Sequence, residues 1–160
     1  MLFAEICSFV AVIESIRLAD EFEYLIRNPP EHGTIWASDV SKENYFTIFE
    51  ANAANLGSLD PSVVGHIAAC YGFMKGSRDA TRSLAGWGTR HVSDVEKSLE
   101  LRAVARLVAN SLVQADLAFG RLIAEDATLA HGMESVLPPQ SIEKLARRWK
   151  DIAGEQSATQ

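Results

Sequence analysis

Four histidines, His32, His66, His91 and His131, are the side chains best suited to hold a metal or carry a proton. None stands in Glu-x-x-His, the signature of a di-iron bundle, and none in the His-Glu-x-x-His of zinc proteases. They are scattered along the chain, and His66, beside Ile67 in a helical run, reads as a structural histidine. Glu96 and Glu100 sit one helical turn apart, a spacing that could grip a cation or supply an acid and a base. Lys97 and Arg102 beside them make a solvated charged face the simpler expectation. Arg78 and Arg82 share a helix face that could take an anion, and pairing with acids of the first helix is their simpler fate. Ser77 and Ser83 have no base near them in sequence. There is no Gly-x-Gly-x-x-Gly after a strand, no Walker-type loop and no Gly-x-Ser-x-Gly elbow. The residues therefore point to no catalytic group, no metal site and no cofactor.

A second kind of chemistry is recognition by aromatic walls with one charge. Trp36, Tyr71 and Trp87, with Arg78 or a histidine as polar anchor, could line a small-ligand pocket. The competing reading of Trp36 is that it and Ile35 clamp a loop onto the core.

The elements that would carry these residues are helical. No Val/Ile/Thr-rich alternating run survives to suggest a strand. A first helix is expected from about Leu2 to Arg27. Phe3, Ile6, Val10, Ile13, Leu18, Phe22 and Leu25 follow steps of three and four (with one of five), and Phe9, Val12 and Ile16 widen the stripe. Pro29 and Pro30 end it. A loop over 29–40 leads to a second helix over about Ser41–Leu56, closed by Gly57. Asp60-Pro61 opens a third, to about Leu84, as N-cap and first helical residue. Gly65, Ala69, Gly72 and Gly76 form a small-residue stripe along it, which suggests close approach of a neighbouring backbone. Ser93 and Glu96 make a capping box for a fourth helix, to about Asp126. Leu101, Val104, Val108, Leu112, Ala115, Phe119 and Leu122 repeat along it as a bundle seam. Pro138 and Pro139 open a shorter last helix, to about Ala153, with Ile142, Leu145, Ala146, Trp149 and Ile152 on its buried side. Lys144, Arg147, Arg148 and Lys150 make its other side basic, and docking onto the acidic first third is one expected use. Residues 154–160 read as a frayed tail.

The composition agrees with one domain. The chain has 160 residues, 48% of them apolar and 22% charged, enough to bury a core unaided. Its net charge is −6, which excludes a strongly basic nucleic-acid binder. Residues 1–60 hold three basic and ten acidic residues, so the acidity belongs to the N-terminal third and a partner docking there would be basic. Cys7 and Cys70 are too few for a disulfide scaffold and lie in apolar helical runs, as reduced core thiols would in a cytoplasmic protein. No continuous apolar run reaches the ~18–20 residues of a membrane span. The nearest, Ile6–Ile13, lacks the leader and cleavage site of a signal peptide.

The segment Phe49-Glu50-Ala51-Asn52-Ala53-Ala54-Asn55-Leu56-Gly57-Ser58-Leu59-Asp60-Pro61, followed by Val63-Val64 and Tyr71, resembles a pattern in uncharacterised bacterial all-helical proteins. There an aromatic-led helix ends in Leu-Gly-x-Leu-x-Pro, and a tyrosine follows about ten residues into the next helix. The resemblance covers about a quarter of the chain and implies a helical fold. It brings no activity. Such proteins often carry a membrane anchor before their first helix, where this sequence begins directly at the helix.

The expected fold is all-α: an antiparallel bundle of four main helices plus a short C-terminal helix, one domain over 1–153. The expected function is a non-enzymatic interaction module. It would self-associate, or bind another helical protein, through the first helix and the long fourth one. Phe3, Ile6, Phe9, Val10 and Ile13 are the expected interface, because one end of the first helix is apolar nearly all round. The small-ligand domain built on Trp36, Tyr71, Arg78 and Trp87 is the second reading. A metal-dependent enzyme and association with a membrane surface through the basic last helix rank below it.

Overall fold

The computed structural model describes residues 2–15, 17–29, 56, 59–84, 87, 92–128 and 139–155. They form five helices: α1 (Leu2–Ser15), α2 (Leu18–Arg27), α3 (Pro61–Leu84), α4 (Asp94–Glu125) and α5 (Pro139–Ala153). No strand occurs among the described residues. The helix expected over Ser41–Leu56 lies outside them, apart from Leu56.

Helix α4 is the axis of the bundle, and α3 and α5 pack along it. Both run antiparallel to it. His66 meets Gln114 while Ser62, nearer the start of α3, meets Arg121, nearer the end of α4. Arg102 reaches the Ile152 carbonyl, and the groove around Asp116 is walled by Glu143. The expected seam holds: Leu101, Val104, Val108, Leu112, Ala115 and Phe119 are buried, and Leu122 packs against them half-buried. On α5 the buried side is Ile142, Ala146, Trp149, Ile152 and Ala153.

The helix ends follow their sequence signals. Asp60 accepts the Ser62 hydroxyl and, at 2.8 Å, the Ser62 amide, and these bonds hold its carboxyl below the usual range. Ser93 and Glu96 form the reciprocal capping box. Helix α5 closes in a Schellman turn, with the Gly154 amide on Asp151 and the Glu155 amide on Lys150. Gly154 has φ of 80°, the left-handed value this turn requires. Glu155 then pairs with Arg106 at 2.7 Å.

One expected element differs. The continuous helix over Leu2–Arg27 is two helices, because Arg17 takes the left-handed conformation (φ 49°, ψ 38°) and turns the chain. No glycine, asparagine or proline marks that point, so periodicity alone carried the pattern through it. An L residue there costs about 1–2 kcal/mol. Burial of Ile6, Cys7, Val10 and Ile13 offsets this, each apolar side chain contributing roughly 1.5–3 kcal/mol when fully covered.

The small-residue stripe of α3 also differs. A Cβ on Gly65 or Gly72 would meet nothing within 4 Å, and on Gly76 only the Leu107 side chain at 3.7 Å. No backbone of the described residues crowds these positions, and Gly65 and Gly72 face outward.

Candidate docking surface

Tyr71, Arg78 and Trp87, the described members of the expected pocket, are not brought together. Tyr71 is buried, and its hydroxyl donates to the Glu5 carboxylate of α1. Burial first, and then Glu5, push the Tyr71 hydroxyl far above its ordinary pKa. Arg78 lies two turns further along α3 and reaches Asp79 at 3.3 Å. Trp87 is buried beyond the end of the helix, where its Nε1 donates to Glu100 Oε2 at 2.7 Å. About 20 Å of helix separates Tyr71 from Leu84, three residues before Trp87. The two rings therefore stand apart, Tyr71 mid-way along α3 and Trp87 beyond its end. Trp36 lies outside the described residues.

Other candidates also resolve into structural work. Glu96 is spent on the capping box and Glu100 on the Trp87 indole. His66 Nδ1 stands 2.8 Å from Gln114 Oε1 across α3 and α4. Arg82, like Arg78, reaches Asp79 on its own helix. Arg148 of the basic last helix bridges Asp20 and Glu23 of α2, so part of the N-terminal acidity is met within the chain. Among the described residues no three His, Cys, Asp or Glu side chains converge as a metal site would require. His32, His91 and His131 lie outside them.

The described residues of the interface expected on the first helix are covered within this chain. Ile6, Val10 and Ile13 are buried in this chain's own core, and Phe9 is half-buried against it. The bend at Arg17 folds the greasy end of the chain inward, so it is not surplus surface. The Phe3 side chain lies outside the described residues.

Exposed apolar surface is found on the long helix instead. Val95 is 71% exposed and Leu99 61%, and four-residue spacing stacks them on one face of the first two turns of α4. Leu117, 43% exposed, falls on the same side of α4, about 27 Å further on. A groove of about 460 Å³ runs beside Val95 and Leu99, with Ile26 and Pro29 from the end of α2 on its far wall. Ser98 lies in its floor and donates to the Ile26 carbonyl at 3.1 Å, which fastens α2 to α4 there. Two opposite charges rim the groove. Asp94 is met by Lys97 at 3.1 Å, whereas Arg27 has no ion pair among the described residues.

A second groove, about 300 Å³, lies between α4 and α5 at Val113, Asp116, Leu117, Glu143 and Arg147. Burial, and secondarily Glu143, hold the Asp116 carboxyl above the usual range. Arg147 is engaged with Glu143 at 2.7 Å.

Helix α4 also bears on the membrane expectation. It contains an 18-residue window of mean hydropathy 1.2 with at most two charged residues, long and apolar enough to cross a bilayer. No unbroken apolar run signals it, because Ala, Ser, Asn and Gln are interleaved with Val and Leu. Only 39% of that window is buried, and α4 packs against α3, α5, α2 and α1. Comparison with known proteins gives no match to a family model, to a curated protein or to a solved structure.

Proposed function

We propose that this chain is a non-enzymatic interaction module that seats an amphipathic helix of a partner protein in the groove between α2 and α4. The observation that carries the reading is the pair Val95 and Leu99, large apolar side chains left mostly in water beside a preformed groove. A helix laid along it would cover them with its own apolar residues at four-residue spacing. Charge selects the partner. Arg27 stands at the rim without a partner among the described residues, so the docking helix carries a carboxylate opposite it.

A helical peptide with leucines at i, i+4 and i+7 and one glutamate beside them is the direct probe. It is titrated against the labelled chain and followed by amide chemical shifts. Saturable shifts at Ile26, Val95 and Leu99 are expected. Binding should weaken at least about tenfold in Leu99→Asp, the loss of one buried apolar contact. Arg27→Glu should weaken it too, and a lysine in place of the peptide's glutamate should restore it. Binding indifferent to Leu99→Asp overturns the reading. So does concentration-dependent pairing of the chain with itself that Leu99→Asp abolishes, because a second copy would then fill the groove.

A further inference from the structure

The joint between α1 and α2 holds two conformational preferences at once. The apolar pattern of residues 2–27 suits one continuous helix, yet the chain is bent at Arg17. Arg17 is the one non-glycine residue with positive φ among the described residues. Its side chain is exposed and caps no helix end, and its carbonyl accepts the Asp20 and Glu21 amides at 3.0 and 3.3 Å, bonds of the kind a continuous helix also supplies, so no side-chain contact repays the left-handed conformation. What holds the bend is remote: Ile6, Cys7, Val10 and Ile13 in the core, and the bond from the Tyr71 hydroxyl to Glu5.

From this we infer that α1 exchanges between two copies of the chain. Arg17 returns to the right-handed helical conformation, residues 2–27 run as one helix, and each α1 occupies the place vacated in the other copy. The occupant is a second copy for a geometric reason. The cavity left by α1 has the shape and polarity of α1, and the face bearing Ile6, Val10 and Ile13 finds equivalent cover only there. Every contact of the bent state re-forms between chains, Glu5 of one copy meeting the Tyr71 hydroxyl of the other. The strained residue at each hinge is relieved, and a short hinge under strain is the setting in which such exchange costs least. Exchange uses residues apart from the groove between α2 and α4, so it stands independently of partner binding there.

Two substitutions at the hinge drive the equilibrium in opposite directions. Arg17→Gly removes the cost of the left-handed conformation and favours the bent monomer. Arg17→Val makes that conformation worse, because a β-branched residue tolerates it poorly, and favours the straight helix. Sedimentation velocity over a dilution series should give a dimer that dissociates more readily in Arg17→Gly than in Arg17→Val. The expected span is on the order of 100-fold, about tenfold for each of two hinges. Leu99→Asp should leave this equilibrium in place, which separates exchange from pairing through the groove. A mixture of Glu5→Cys chains and Tyr71→Cys chains, treated with a short thiol cross-linker, should yield heterodimers linked at those two positions. Monomers in both hinge variants at every concentration overturn the inference. A dimer that gives no cross-link between position 5 and position 71 overturns it as well.

Discussion

The rings of Phe22 and Trp149 meet edge to face, centroids 5.2 Å apart and planes inclined at 65°. The contact joins α2 to α5, and Arg148, the residue before the tryptophan, reaches Asp20 and Glu23 on α2. Trp149 is fully buried, yet its Nε1 has no hydrogen-bond partner among the described residues. An orphaned buried donor costs about 1–3 kcal/mol, so the indole is retained for its volume and its ring contact. Trp149→Phe should therefore destabilise the protein far less than Phe22→Ala. The alanine variant opens a cavity and should cost about 3–5 kcal/mol. Urea denaturation midpoints of the two variants test the ordering, and equal losses would show that the indole nitrogen is not a burden.

Glycines of α3 and α5 should respond to alanine with opposite signs. Gly65 and Gly72 are helix-interior positions with open space where a Cβ would stand. Alanine at either should stabilise by about 1 kcal/mol, the helix-propensity difference between the two residues. Gly154 has φ of 80°, and a Cβ there would lie 3.0 Å from a terminal nitrogen of Arg102. Gly154→Ala should destabilise by about 1 kcal/mol or more. Thermal melting of the three single variants checks both signs.

The bundle was legible in the sequence wherever a local signal and the apolar period agreed. Asp60-Pro61, the Ser93–Glu96 box and the Leu101-to-Phe119 seam each placed an element that the structure contains. The bend at Arg17 was not legible, because it arises from burial of α1 and has no local residue signal. For the same reason the burial of Ile6, Val10 and Ile13 within this chain was not legible. An apolar helix end reads identically whether it is covered by its own chain or by another. Val95 and Leu99 gave no warning, since single apolar residues near a capping box look like the start of a core stripe. Glu96 and Glu100 could be recognised as a spaced pair, but their separate jobs depend on Ser93 and on Trp87, thirteen residues before Glu100.

Asp116 should make the protein more stable when neutralised. Its carboxyl is raised above the usual range by burial first and by Glu143 second, with Arg147 and Lys150 also facing the groove. An acid whose folded pKa exceeds its unfolded value binds its proton more tightly in the folded state. Its charged form is thus a penalty at pH above the folded pKa, and the penalty fades as the pH falls through the carboxylate range. Asp116→Asn should raise the melting temperature at neutral pH, and the gain should shrink toward zero in acid. A gain that persists unchanged at low pH would mean that the amide acts through packing and not through charge.

Cys7 and Cys70 should react with alkylating reagents only through opening of the bundle. Both are buried, and burial pushes both thiols up, Cys70 to about 12. The thiolate is the reactive form, so the closed protein presents almost none at pH 8. Once exposed, a cysteine titrates near the unfolded value of about 8.5. Alkylation followed by mass spectrometry should accelerate about tenfold per pH unit below that value and flatten above it. The same linkage sets the sign for stability. The unfolded chain loses its thiol protons first, so stability should fall as the pH rises from about 8.5 toward 12. Cys7 lies on α1, which opens at the Arg17 joint without the rest of the bundle, whereas Cys70 sits mid-way along α3. Cys7 should therefore react faster than Cys70, and its rate should depend weakly on low concentrations of urea. Equal rates with the same steep urea dependence would show that both thiols are released by one global unfolding event.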